Sequence, residues 1–407
     1  MKSLRELYTI GRGPSSSHTI GPVRACHLFR EENPDADRFS VTLFGSLAKT
    51  GRGHLTDIAI RDALAPVETE ILWNTERGDL PHPNTMELRA WKNGALTASM
   101  TALSVGGGAI RIPGRPDTET PEVYPENSFD DISRLCLERR LRLSDYVEQR
   151  EGEEIWPYLF SIWNIMKKSV SDGLSRSGTL PGGLEVERKA QYLYNQRHID
   201  ESRETRQNRI VCAYAFAVAE QNASGGVIVT APTCGSSGVM PAALLYMQEE
   251  RGFSDEQVIR ALAVGGLMGN LIKRNASISG AECGCQAEVG AACSMTAAAL
   301  GELFEMGLGQ IEFAAEVAME HHLGLTCDPI NGLVQIPCIE RNAVAAMRAI
   351  NALSLANFLA DTRKITFDTV VHTMYETGRD LSRRYRETAE GGLAKNYRSD
   401  IRPVAEN

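Results

Sequence analysis

The sequence predicts an α+β protein: an N-terminal α/β domain over residues 1–125, then a mostly helical domain over 126–407. Three observations carry this expectation. Residues up to about 112 mix strand and helix signals. Between Pro113 and Asp130 lie four prolines (113, 116, 121 and 125) among acidic and polar side chains. From about Ser133 the pattern shifts to long helical periods rich in Ala, Leu, Met and Glu.

Taken in order, a helix is expected to start near Pro22, and Phe39-Ser-Val-Thr-Leu-Phe44 alternates as a half-buried strand does. Met86 to Trp91 and Leu96 to Leu103 flank Asn93-Gly94, the signature of a hairpin. The proline-rich stretch has the composition of a domain boundary. Beyond it, Leu180-Pro-Gly-Gly-Leu184 and Gly225-Gly226 interrupt the helices, and the small apolar run Ala261 to Gly269 reads as a buried helix. No fixed-period repeat is present, which excludes solenoid and coiled-coil architectures.

At 407 residues the chain is long enough for two to three domains of about 150 residues each. Asp plus Glu (52) exceed Lys plus Arg (43), so no basic surplus favours nucleic acid or an anionic membrane as partner. No apolar run reaches the roughly 18 residues that cross a bilayer, and the first residues are charged rather than signal-like, so a cytoplasmic location is expected. Disulfides are then unlooked for, and the nine cysteines are buried thiols, reactive thiols or metal ligands. Six of them fall in 234–338, which makes metal worth testing.

Several segments could carry chemistry. Gly11-Arg-Gly-Pro-Ser-Ser-Ser-His-Thr-Ile-Gly-Pro22 sets hydroxyls and His18 before a helix, an arrangement that suits a carboxylate or phosphate. It equally describes an N-cap turn with a hydrogen-bonded histidine. His54 in Gly51-Arg-Gly-His-Leu-Thr-Asp57 and His82 in a Pro-flanked turn repeat the theme; each alone is more often structural than a general base. The glycines of Ser104-Val-Gly-Gly-Gly108 suit a domain contact or a ligand cleft alike. Ala231-Pro-Thr-Cys-Gly-Ser-Ser-Gly-Val-Met-Pro241 is a second polar loop entering a helix, and the donors, acceptors and thiols of 273–286 demand an internal network or a ligand. Leu325-Thr-Cys-Asp-Pro329 and Ile336-Pro-Cys-Ile-Glu-Arg-Asn342 each put a cysteine beside a proline near an expected helix start, where thiolates are favoured. None of these spacings is a zinc knuckle or a ferredoxin run, so inert buried thiols and a metal or iron–sulfur site both remain open.

With these residues in view, the chain resembles the iron–sulfur-dependent L-serine dehydratases (L-serine ammonia-lyases) of bacteria. The resemblance runs through GPSSSHTIGP, GSLAKTGRGHLTDIAI, SVGGG, LPGGLEVERKA, NASGGVIVTAPTCGSSGVMPA, NASISGAECGCQAEVGAACSM, MEHHLGLTCDPINGLVQIPCIERN and TMYETGRDLSRRYRETAEGGLA, in family order. It implies a [4Fe-4S] cluster on Cys285, Cys327 and Cys338, with Cys234, Cys283 and Cys293 as bystanders. Three thiolates leave one iron open to act as a Lewis acid on a substrate oxygen. The implied reaction removes the Cα proton and the hydroxyl of L-serine, and the aminoacrylate released goes on to pyruvate and ammonia. His18 and His54, and after them His82, are the implied base or proton relay. Ser15, Ser16, Ser17, Thr19, Asn275, Ser277 and Ser279 are the implied substrate pocket, between the domains. A homodimer is the family's implied assembly.

Two departures stand out. Some single-chain relatives carry a tail cysteine beyond the GGLA motif that caps the open iron; no cysteine follows Ala394 here, so water, a small anion or a non-thiol tail group is expected there. Cys283 stands two positions from Cys285 where relatives can carry an apolar residue, and is expected to be packed rather than ligating. The competing readings are a lyase on L-threonine or L-cysteine and a non-catalytic cluster-based sensor. A pyridoxal-phosphate enzyme finds no lysine in a recognisable Schiff-base context.

Overall fold

The computed structural model describes residues 1–115, 121–197 and 199–398, and its architecture is α+β. Pro116, and the tail beyond residue 398, lie outside the described residues. Seven strands are present: β1 (Ile10–Arg12), β2 (Arg38–Phe44), β3 (Glu68–Asn74), β4 (Thr85–Lys92), β5 (Ala95–Gly106), β6 (Ala109–Arg111) and β7 (Val227–Val229). Five of them form one sheet in the order β3-β2-β4-β5-β6, parallel only between β2 and β3. The expected hairpin is β4–β5, and Asn93 (φ 51°) with Gly94 (φ 79°) supplies the two positive φ angles its turn demands. Helices α1 (Gly21–Glu32), α2 (Gly45–Thr50) and α3 (Thr56–Leu64) complete this unit. Pro22 sits in the first turn of α1, where its missing N–H costs nothing. A core of Phe29, Phe39, Val41, Leu43, Leu47, Ile60 and Leu88 holds sheet and helices together.

The remaining helices are α4 (Phe129–Arg139), α5 (Leu143–Glu151), α6 (Ile155–Leu174), α7 (Ala190–Asn195), α8 (Arg203–Ala223), α9 (Val239–Arg251), α10 (Asp255–Asn275), α11 (Gly280–Cys283), α12 (Val289–Leu303), α13 (Leu308–Glu320), α14 (Cys338–Leu359), α15 (Phe367–Asp380) and α16 (Gly392–Asn396). α12 is buried along its whole length, as a helix apolar on every side must be. It packs on α10 through small residues: a Cβ on Gly265 would stand 2.9 Å from the Met295 carbonyl, so only glycine allows that approach. The Ala261–Gly269 run thus forms the buried middle of α10, as expected. Cys338–Thr362 is, among the described residues, the one stretch long and apolar enough to cross a bilayer. In this fold it packs against α8, α12 and α13.

The N-terminus breaks the simple order of the elements. Met1, Leu4, Leu7 and Tyr8 belong to the helical core, not to the sheet unit. β1 pairs antiparallel with β7 (Ile10↔Val229), and the N-terminal amine donates to the Tyr124 carbonyl. The loop carrying His18 is therefore moored to the helical region at one end and enters α1 at the other.

Candidate active site

The polar loop 13–19 docks on the end of α8. Gly13 N–H donates to the Gly226 carbonyl (3.2 Å), and Asn222 Nδ2 donates to the Pro14 carbonyl (2.9 Å). Ser15 caps the turn that follows, accepting from His18 N–H at 3.3 Å. Thr19 donates its hydroxyl to the carbonyls of Arg12 and Ser15 and so helps to shape the loop.

His18 and His54 are fully buried, with ring centroids 4.3 Å apart. Thr50, the last residue of α2, serves both. Its hydroxyl donates to the Ser46 carbonyl (2.9 Å), so towards His18 Nε2 (2.9 Å) it can only accept. His18 therefore carries its proton on Nε2 and accepts from Ser15 Oγ at Nδ1 (3.2 Å), which engages both nitrogens. The Thr50 carbonyl lies 3.2 Å from His54 Nδ1 and can only accept, so His54 carries its proton on Nδ1. His54 Nε2 is left with a free lone pair, buried and without a partner among the described residues. Burial, followed by the neighbouring His54, holds His18 well below the usual imidazole range, and burial brings His54 down to about 4. Both rings are neutral at physiological pH.

Glu387 completes the group: ligand-capable atoms of His18, His54 and Glu387 lie within 4.8 Å of one another. Burial, with the charge of Glu288, raises the Glu387 carboxyl to about 8. Its backbone ties this group to the thiols, because Glu387 N–H donates to the Cys327 carbonyl (2.8 Å) and Cys327 N–H to the Tyr385 carbonyl (2.8 Å). Cys327 thus stands in an extended segment bridged to Arg386, not at the helix start expected from its proline. Cys338 does begin a helix, α14, and Cys285 opens a short turn ahead of α12.

The three thiols lie near one another and near Glu288, each close enough to feel the charge of a neighbour. Burial pushes Cys285 up to about 11, opposed by the Arg341 guanidinium; it pushes Cys327 and Cys338 higher still. Space is kept here by Gly280, where a Cβ would lie 2.7 Å from a Glu288 oxygen and 3.2 Å from Cys327 Sγ. Three neighbouring soft donors, one of them beside a cradle that a methyl group would fill, suit an iron–sulfur group. Cys283 is packed elsewhere, against Gly378 of α15.

A cleft of about 880 Å³ leads in from solvent, between α2 with the 75–83 loop on one side and residues 276–283 and 375–390 on the other. Ser46, Thr50 and Glu387 are on its wall. Ser16 reaches the Cys234 thiol, and Ser279 packs beside Gly106 of the SVGGG turn. Ser277 donates to Glu282, and its oxygen accepts from Ser279 N–H (3.0 Å). Two expected residues fall away from this centre. Asn275 is exposed and donates to the Asn127 carbonyl (2.7 Å). His82 is half-buried in its turn, accepts from Asn84 N–H (3.0 Å), and stands outside the His18–His54–Glu387 group.

Comparison with known proteins adds the family. Residues 83–394 match the family described as serine dehydratase alpha chain, and residues 3–70 match serine dehydratase beta chain. The chain belongs to the serine dehydratase family. L-serine dehydratase 2 of Escherichia coli (strain K12) is 39% identical, across 97% of this chain and 98% of that protein. L-serine dehydratase of Streptomyces coelicolor is 40% identical (97% and 98%), and that of Helicobacter pylori 36% (97% and 99%). The serine dehydratase beta match holds His18 and His54; the alpha match holds Glu387 and the three cysteines, and His82 stands just before it. The sheet is divided between the two matches: β2 lies in the beta match, β3 begins in it, and β4, β5 and β6 lie in the alpha match.

Sequence reasoning missed Glu288, Glu387, Thr50 and Arg341. Glu288 had a local signal, a lone carboxylate in the small apolar run Ala287–Ala292. Glu387 had none, being one charge among many in a segment that only the fold carries to the site.

Proposed function

We propose that the protein is an L-serine ammonia-lyase, converting L-serine to pyruvate and ammonia, with a [4Fe-4S] cluster held by Cys285, Cys327 and Cys338. The observation that carries this reading is the free, buried Nε2 of His54 beside Glu387, joined through Cys327 to three inward thiols. When bound, the cluster supplies a Lewis-acidic iron that makes the substrate hydroxyl a better leaving group.

The chain's own residues do the rest. His54 Nε2 takes the Cα proton, and its imidazolium is steadied by Nδ1–H on the Thr50 carbonyl. His18, locked by Ser15, Ser46 and Thr50, orients His54 by ring contact and takes no proton itself. Ser17 and Ser279 are buried and keep their hydroxyls uncommitted among the described residues, which suits them to the substrate carboxylate. The aminoacrylate left behind becomes the imine when one of its N–H protons moves to the terminal carbon. Loss of one proton and one hydroxide from serine releases water, and hydrolysis of the resulting imine gives pyruvate and ammonia.

Anaerobically purified protein tests this in one sample, by spectrum, iron and sulfide content, and pyruvate release from L-serine. Iron near four per chain with pyruvate formed is the expected result. Faster turnover of threonine or cysteine would reassign the substrate. Iron without turnover of any of the three would favour a sensor, and turnover without iron would overturn the mechanism.

A further inference from the structure

Arg341, three residues into α14, ties two of the thiol-bearing segments together. Its Nη1 donates to the Thr326 carbonyl (2.6 Å), the residue before Cys327, and its Nη2 pairs with Asp328 Oδ1 (3.2 Å), the residue after it. Cys338 is on its own helix, one turn away. The guanidinium is also close enough to the Cys285 thiol to oppose the effect of its burial. Asp328 is in turn committed on every side: Thr326 Oγ1 donates to Oδ1 (3.1 Å) and Leu393 N–H to Oδ2 (2.7 Å). Arg341 and Asp328 are largely withdrawn from solvent, with side chains 17% and 3% exposed, so their pairing is not a screened surface contact. Arg341 is a cation close to both Cys285 and Cys338, and it opposes the charge of Glu288 at each.

We propose that Arg341 is the positioning residue of the cluster pocket: its fork pins the Cys327 segment to α14, and its charge, set beside Cys285, stabilises the cluster. This rests on the cluster reading above. Two consequences follow. A cation beside the ligand sulfurs favours the more negatively charged, reduced cluster, so removing it lowers the reduction potential. Loss of the fork lets the Cys327 segment drift from Cys338, so the cluster is released faster. A lysine keeps the charge but cannot serve Thr326, Asp328 and Cys285 at once, because it is a point charge without the planar fork.

The test uses anaerobically prepared full-length wild type, Arg341→Gln and Arg341→Lys, with circular dichroism to establish folding. Potential is read by redox titration under paramagnetic resonance, and release by the rate of iron loss to a chelator. Arg341→Gln is expected to shift the reduction equilibrium at least tenfold, about 59 mV for a one-electron couple. Arg341→Lys is expected to shift it less, and both variants to lose iron at least about tenfold faster. A folded Arg341→Gln protein with wild-type potential and release rate overturns the proposal. If that variant does not fold, Arg341→Lys decides, and a wild-type release rate there overturns it equally. Wild-type protein lacking iron and sulfide would instead defeat the cluster reading on which the proposal stands.

Discussion

Replacing His54 with asparagine should move two observables in opposite directions. Asparagine retains an N–H donor close to where the histidine has Nδ1, so the Thr50 carbonyl stays satisfied while the basic Nε2 disappears. A positioned general base contributes roughly 10²- to 10⁴-fold, and kcat should fall by that amount with iron content unchanged. Stability should respond to pH in the other sense. His54 titrates near 4 when folded against 6.5 for a free imidazole. Above 6.5 both states are neutral and nothing is gained or lost. As pH falls from 6.5 towards 4 the unfolded chain takes up a proton that the folded chain refuses, so the wild type loses stability. At about 1.4 kcal/mol per tenfold in proton affinity, the cumulative loss from this one residue is about 3 kcal/mol. His54→Asn escapes it. Urea unfolding of both proteins should therefore show the variant weaker at neutral pH, from lost packing, and the gap closing by about 3 kcal/mol near pH 4. Turnover within about tenfold of wild type with iron intact would refute the base assignment. A gap that does not change with pH would refute the burial argument.

Other perturbations probe the surroundings. Cys285→Ala should abolish bound iron, whereas Cys283→Ala, altering a thiol packed on Gly378, should leave iron per chain unchanged; the reverse result would exchange their roles. Gly13→Ala would place a Cβ 2.1 Å from Asn222 Oδ1 and 2.3 Å from the Asn222 carbonyl, so the loop must shift. A cost of about 1–3 kcal/mol in urea unfolding and a lower kcat/KM are expected, and wild-type values for both would contradict the docking of that loop. Because burial raises all three thiols, iron uptake must expel protons. Cluster reconstitution should accelerate as pH rises from neutral to mildly alkaline, and a flat rate profile would oppose thiolate formation as a step in assembly.

Much of the fold was legible because its signals are local. The β4–β5 hairpin needs only Asn93-Gly94 between alternating runs, and α10 only its unbroken small apolar stretch. The histidine loops were legible as sites but not in their division of labour, which depends on Thr50 offering a hydroxyl to one ring and a carbonyl to the other. What was hidden depends on pairing across the chain. Met1 to Tyr8 belong to the helical core through partners more than 200 residues away, such as Leu262, which accepts from the Tyr8 hydroxyl at 2.9 Å. Glu387 reaches the site only because Cys327 and Arg386 form a bridge. Asn275 shows the converse: a polar residue inside the right motif whose side chain the end of α10 turns outward.

The sheet is shared between the two family matches, and that has a bearing on how such an enzyme can be encoded. β2 and β4 are joined by six residue pairs from Arg38↔Trp91 to Leu43↔Met86, while the peptide linking the two halves, around residues 75–79, is exposed and without regular structure. Backbone ladders, the β1–β7 pairing and the buried N-terminal residues hold the halves together; the covalent connection adds mainly proximity. A gene divided at that loop should still yield an assembled protein, its smaller product completing a half-finished sheet on the larger and delivering both buried histidines to thiols it does not itself encode.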